Sequence, residues 1–239
     1  MNLIVDCGNT NLKYFIFDCQ RLIFKNLFKW EEDWTLEIKK KFPDLKNILL
    51  SDVTGKYNIH FVEKKFPEKK VYEVKALDFP FKTNYNHKNL GTDRIGLITA
   101  AIIKFPKENC LVIDAGSCLT FDLISSKLVH KGGLISPGLL LRYKSLHEYT
   151  NSLPLINAGD KKMEIGKDTK SSIQAGTLEG FIFEINGQIE RFRRKTPNLR
   201  VILTGGDAKY LYKRIKNSIF AEQEFLASGL NNLMKCNNL

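Results

Sequence analysis

One pattern occurs twice in this chain, far apart, and that repeat limits the folds open to it. Residues 1–18 (MNLIVDCGNTNLKYFIFD) read as an apolar strand of Leu3, Ile4 and Val5 running into Asp6, a Gly8-Asn9-Thr10 turn, and a second strand from Leu12. Residues 110–124 (CLVIDAGSCLTFDLI) restart it, so that Asp114-Ala115-Gly116-Ser117 parallels Asp6-Cys7-Gly8-Asn9. In this second copy Thr120 and Asp122 point one way along a strand of period two. A third strand is expected after each copy, at 21–29 and at 127–135, the latter holding Gly132-Gly133. Two such meanders predict a duplicated α/β protein: domains at 1–105 and 106–239, each a mixed sheet with helices, facing each other across a cleft.

The turns suggest a chemistry. A carboxylate ending a buried strand, followed by small residues with amide and hydroxyl donors, suits a metal-bound phosphate, and Lys13 adds positive charge at the same turn. Taken alone, the first copy reads equally well as an ordinary hairpin in which Asp6 caps the turn. Its echo at Asp114 favours the phosphate reading. A third glycine turn, Gly205-Gly206-Asp207-Ala208, follows the apolar strand 201–204 and leads into a helix expected at 208–213. These turns can line one nucleotide cleft with Asp6 and Asp114 on its two sides. Neither G-x-x-x-x-G-K-[ST] nor a G-x-G-x-x-G after a strand occurs. The pattern suits paired hairpins that clamp phosphates while a carboxylate holds Mg²⁺.

Between the repeats, spacing predicts helices at 30–42 (Trp34, Ile38 and Phe42 on one face) and 56–65, with strands at 47–53 and 70–74. Residues 78–89 are polar and turn-rich, and Tyr85 is the aromatic most expected to be presented there rather than buried. Leu90-Gly91-Thr92-Asp93-Arg94 opens a helix to 105, with Thr92 as its cap and Asp93 in the first turn, where a negative charge suits the helix dipole. That role leaves Arg94 unexplained, since a basic residue is poorly placed at a helix start. In the second half, helices are expected at 139–149 after Pro137, at 171–194 and at 222–235, with 150–159 as loop. Gly176 and Gly180 give the long helix a small-residue face for close packing, including packing between subunits.

Composition closes off other classes. At 239 residues, with 43% hydrophobic and 26% charged, the chain has the make-up of a soluble globular protein, and no apolar run approaches a membrane span. The N-terminal stretch is unlike a secretory signal. Five cysteines without a C-x-x-C pair and four histidines argue against a disulfide scaffold or a zinc site and fit a reducing cytoplasm. The formal charge of +11 is carried by 29 lysines against eight arginines, in short scattered runs, which reads as solvated surface rather than a nucleic-acid face.

Six segments in order, DCGNTNLK (6–13), LGTDR (90–94), DAGSCLTFD (114–122), GGLISPG (132–138), IGKDT (165–169) and LTGGDA (203–208), resemble the type III pantothenate kinases, of the actin/Hsp70/sugar-kinase-like ATPase superfamily with its duplicated ribonuclease H-like domains. The resemblance implies ATP-dependent phosphorylation of the terminal hydroxyl of pantothenate, the first committed step toward coenzyme A. It also implies ATP, Mg²⁺ and a monovalent cation (K⁺ or NH₄⁺) as cofactors, and a homodimer with the substrate site at its interface.

Residue by residue, the resemblance makes Asp93 the general base and Arg94 the partner of the pantothenate carboxylate or the transferring phosphoryl group. Asp6 serves Mg²⁺, and Asp114 and Asp122 are further metal-site candidates, Asp122 for the monovalent ion. Gly8, Asn9, Thr10, Asn11, Leu12, Lys13, Gly116 and Ser117 belong to the nucleotide side, with Gly205 and Gly206 under the adenosine. Tyr85, Gly91 and Thr92 line the pantothenate pocket, and Thr169 reaches the substrate from the other subunit. Ser117 departs from the usual threonine, keeping the hydroxyl and losing one methyl, with about 1 kcal/mol of packing at stake. The competing readings are another small-molecule kinase of the superfamily, such as a sugar kinase, and a ribonuclease H-like nuclease using Asp6, Asp114 and Asp122. The nuclease reading leaves the glycine turns and Arg94 without a role.

Overall fold

Strands rich in β-branched and aromatic residues alternate with helices in a computed structural model that describes residues 1–28, 33–57, 59–157, 164–211, 213–215, 219–220 and 224–239. In chain order the first part runs β1 (Asn2–Cys7), β2 (Leu12–Asp18), β3 (Arg21–Phe28), α1 (Trp34–Lys41), β4 (Asn47–Asp52), α2 (Ile59–Lys65), β5 (Lys70–Glu73), β6 (Lys82–Thr83) and α3 (Thr92–Lys104). It continues with β7 (Asn109–Ala115), β8 (Cys118–Ser125), β9 (Val129–Pro137), α4 (Leu139–Glu148), α5 (Thr169–Arg193), β10 (Leu199–Thr204), α6 (Ala208–Leu211), β11 (Ile219–Phe220) and α7 (Phe225–Cys236). Parts of the expected elements at 29–32, 58, 158–159, 212 and 222–223 lie outside the described residues.

The chain forms two compact units. The first comprises Met1–Pro106, Leu128–His130 and Glu224–Leu239. Its sheet has the order β3-β2-β1-β4-β5, antiparallel across β1, β2 and β3 and parallel across β1, β4 and β5. One face carries a core of Leu3, Val5, Tyr14, Ile16, Ile48, Trp34, Ile38 and Val62, in which the Tyr14 ring stacks on Phe28 and the Trp34 ring on Phe66. Asp33 caps α1 by accepting the Thr35 N–H, and the Lys65 ammonium together with Thr35 holds its carboxyl down to about 2.

Sequence spacing assigned the last helix to the second domain. Instead α7 packs on α3 within the first unit. The close approach is made by glycines: a Cβ on Gly229 would lie 1.9 Å from the Gly96 carbonyl oxygen, and one on Gly96 would meet Leu226 and Leu230.

The second unit comprises Lys107–Lys127 and Lys131–Gln223. Its strands follow the order β11-β10-β7-β8-β9, with β7 and β8 antiparallel and β10 parallel to both β7 and β11. This repeats the order of the first sheet, strand for strand, as the duplicated motif predicts. Leu111, Ile113, Leu119 and Phe121 project from one face into a core completed by Tyr143 of α4, by Phe181, Ile185 and Ile189 of α5, and by Leu211 of α6. Among the described residues no helix is long and apolar enough to cross a membrane.

Candidate active site

In the first unit Asp6 sits at the inner end of β1 and is only 4% exposed. Its antiparallel neighbour is Lys13 and its parallel neighbour is Ser51 of β4. The turn between the strands is closed by the Gly8 N–H donating to the Asn11 carbonyl at 3.1 Å, which leaves Asn9 and Thr10 exposed at its tip. Leu12 is fully buried in the core, so only its backbone is available to a ligand.

Burial pushes the Asp6 carboxyl up to about 6; Asp93 and Asp52 add to the rise, while Lys13 and a Ser51 hydrogen bond oppose it. Ser51 is fully buried, with Oγ 3.0 Å from Thr92 Oγ1 and 3.5 Å from Asp6 Oδ1. With one proton to give, it donates to one of them at a time. Sequence reading missed Ser51, because a lone serine at a strand end carries no local signature.

The sequence predicts Thr92 as the cap of α3. Gly91 takes that position without a side-chain cap, and Thr92 begins the helix with its hydroxyl turned to Ser51. Asp93 Oδ1 folds back to accept the Arg94 N–H at 2.7 Å. A Cβ at Gly91 would lie 2.5 Å from that oxygen, so a side chain there would displace the Asp93 carboxylate.

Arg94 is 4% exposed, and its guanidinium lies 5.0 Å from the centroid of the half-buried Tyr85 ring. Asp6, Ser51, Thr92, Asp93, Arg94 and Tyr85 thus form a continuous neighbourhood on the first unit. A cavity of about 100 Å³ beside Thr92, lined also by Leu50, Asp52, Glu73, Val74 and Lys75, is well short of the roughly 300–1,000 Å³ usual for a small-molecule site.

In the second unit Asp114 pairs with Thr120 of β8 and with Thr204 of β10, which puts all three on one face, with Asp122 two residues on and 1% exposed. The glycine turns close around this carboxylate. Gly205 has φ +98, and a Cβ there would lie 2.3 Å from Asp114 Oδ1 and 2.4 Å from the Ala115 carbonyl oxygen. The Asp207 N–H donates to that same Ala115 oxygen at 2.9 Å. Gly206 has open space where a side chain would be.

Gly138, which precedes α4, donates its N–H to the Ser117 carbonyl at 3.2 Å, and a Cβ there would lie 2.1 Å from the Gly116 oxygen. Backbones therefore meet at van der Waals limits around Gly116-Ser117, leaving the turn's outer side for a ligand. Thr169 is the exposed first residue of α5, behind an Asp168–Ser171 capping box.

A divalent ion fits the first-unit carboxylate. Burial, with a smaller push from Asp93 and Asp52, raises the Asp6 carboxyl, and it would ionise readily beside a cation. Mg²⁺ is commonly bound through one or two carboxylates plus substrate phosphates, so a single buried carboxylate can serve it.

The model of the type III pantothenate kinase family matches residues 2–191. A type III pantothenate kinase of Christiangramia forsetii is 40% identical over 99% of both chains. Among solved structures, a conserved Baf family protein from Campylobacter jejuni superposes with a TM-score of 0.64 at 24% identity, covering 99% of this chain and all of that one. A protein assigned as a 2-dehydro-3-deoxygalactonokinase from Sinorhizobium meliloti gives 0.62 at 10% identity, covering 99% of each chain, so the two share a fold. With most of its length matched by the family model and a near-full-length relative at that identity, the chain belongs to the type III pantothenate kinase family.

Proposed function

We infer that this protein transfers the γ-phosphoryl group of ATP to the terminal hydroxyl of pantothenate, the opening step of coenzyme A biosynthesis. The observation that carries the reading is the Asp6–Ser51–Thr92 contact, with Asp93 next in sequence and near enough to raise the Asp6 carboxyl. Metal-side carboxylate and acceptor-side carboxylate stand on one rigid frame.

Asp93 orients the acceptor hydroxyl and takes its proton as the bond to phosphorus forms. A carboxylate suffices because the transition state is loose and positioning dominates. Arg94, stacked on Tyr85, meets the substrate carboxylate or the transferring group, and Gly91 leaves room for the acceptor. When bound, Mg²⁺ neutralises charge on the phosphates; Asp6 holds it, with Asp114 as the corresponding carboxylate of the second unit. Asn9, Thr10, Lys13, Gly116 and Ser117 supply phosphate donors, and Gly205 and Gly206 leave space for the adenosine. Asp122 is the proposed residue for K⁺ or NH₄⁺.

The working form is a cytoplasmic homodimer, with no nucleic acid or membrane as partner, in which Thr169 serves the other subunit's substrate. Support comes from α5: Gly176, Gly180 and Gly187 each have open space around them, and Phe183 on the same stripe is 70% exposed.

ATP consumption against a panel of pantothenate, hexoses and N-acetylhexosamines, with and without K⁺ or NH₄⁺, tests the reading. Turnover with pantothenate alone, stimulated by the monovalent ion, is expected. Turnover with a sugar in its place would overturn it.

A further inference from the structure

His130 is a fully buried histidine that the reaction above does not use. It lies in the short segment Leu128–His130 that returns to the first unit, where the start of β9 pairs in parallel with β6. The pairing is made by the Lys82 N–H donating to the Leu128 carbonyl and the Asn84 N–H donating to the His130 carbonyl, both at 3.0 Å.

Side chains alternate along the paired segment, so Phe81, Thr83 and Tyr85 share one side, and all three meet the His130 ring. Phe81 meets it edge-on at 6.4 Å between centroids, and Tyr85 lies tilted against it at 6.2 Å. Thr83 Oγ1 lies 2.8 Å from His130 Nδ1. That oxygen also accepts the Tyr85 N–H at 3.0 Å, so one hydroxyl joins the Tyr85 backbone to the ring nitrogen. The Tyr85 ring also meets the Arg94 guanidinium, 5.0 Å from its centroid.

We propose that His130 is a positioning residue for the acceptor site: with Thr83 it fixes the Tyr85 ring, and through that ring it sets the Arg94 guanidinium. A histidine does this where an apolar residue would not. Its buried ring packs against Tyr85, and its Nδ1 gives the Thr83 hydroxyl a directional partner, so ring and backbone of Tyr85 are fixed together. The proposal rests on the reading of Tyr85 and Arg94 as pantothenate contacts.

Steady-state kinetics of His130→Phe, Thr83→Val, the double variant, His130→Asn and Arg94→Lys test it, with a melting curve for each. His130→Phe and Thr83→Val are each expected to raise the pantothenate KM by about tenfold while the ATP KM stays within about twofold. The double variant should be no worse than either single change, because both remove the same bond. His130→Asn, whose amide keeps a partner for the Thr83 hydroxyl, should recover part of the loss.

A folded Thr83→Val or His130→Phe enzyme with an unchanged pantothenate KM overturns the proposal, as does an ATP KM that rises in step. Should His130→Phe fail to fold, Thr83→Val and His130→Asn decide by the same criteria. If Arg94→Lys leaves the pantothenate KM unchanged, the acceptor-site reading and the proposal fall together. If Arg94→Lys raises it and the His130 and Thr83 variants do not, the proposal alone falls.

Discussion

Ser51 Oγ lies 3.0 Å from Thr92 Oγ1, and this hydroxyl pair ties the end of β4 to the first residue of α3. Because Ser51 also neighbours Asp6, one buried side chain sets the spacing between the carboxylate at the end of β1 and the helix start that carries Asp93. Ser51→Ala leaves the Thr92 hydroxyl short of a buried partner, at a cost of about 1–3 kcal/mol. A melting temperature lowered by several degrees is expected, together with a fall in kcat that exceeds any change in the ATP KM. An unchanged kcat in a folded variant would show that the spacing does not depend on this bond.

The raised carboxyl of Asp6 makes the metal-free protein's stability depend on pH. The folded group titrates near 6 against 3.8 for the unfolded one, so the folded state binds more protons between those values. The stability from this group is fully present below the unfolded value and is lost as pH rises through about 6. The difference amounts to about 3 kcal/mol. Asp6→Asn removes that burden. Without divalent metal it should melt higher than the parent at pH 8, and the gap should close as pH falls toward 4. A constant gap across that range would contradict the assignment.

Gly138 packs against the Gly116 and Ser117 carbonyls too closely for any side chain. Gly138→Ala must displace the Gly116-Ser117 turn, so the ATP KM should rise well beyond the pantothenate KM, and the protein should lose stability. Equal effects on both substrates would remove this turn from the nucleotide side.

The exposed stripe of α5 gives a test of assembly. Phe183→Lys puts a charge on the face that carries Gly176 and Gly180, and the sedimentation coefficient should fall to that of a monomer. The pantothenate KM should rise with it, because Thr169 no longer reaches a second subunit. A parent protein that already sediments as a monomer would contradict the dimer.

What the sequence disclosed follows the range of the interactions. The two meanders were legible because strand, aspartate, glycine turn and strand are contiguous, and the repeat doubled the signal. Packing of α7 on α3 was not, since Gly96 and Gly229 are small residues whose meeting depends on the folded chain. Thr92 read as a helix cap because capping residues are recognised locally; its actual partner, Ser51, lies forty-one positions away. His130 was passed over for the same reason, as its neighbours Thr83 and Tyr85 come from a loop whose short pairing with β9 has no strand-like pattern of its own. Arg94 behaved differently. Its poor fit to a helix start was itself the signal, and its guanidinium lies 5.0 Å from the Tyr85 ring centroid.

The central claim is that Asp93 delivers the pantothenate hydroxyl to ATP. Its most direct test is to follow phosphopantothenate by ³¹P NMR with the parent enzyme and with Asp93→Asn, while nucleotide binding is measured by calorimetry. Product is expected from the parent, with a loss of about 10²–10⁴ in kcat for Asp93→Asn and an ATP affinity that is retained. Asp93→Asn turning over at the parent's rate, or a parent that binds ATP and yields no phosphopantothenate, would contradict it.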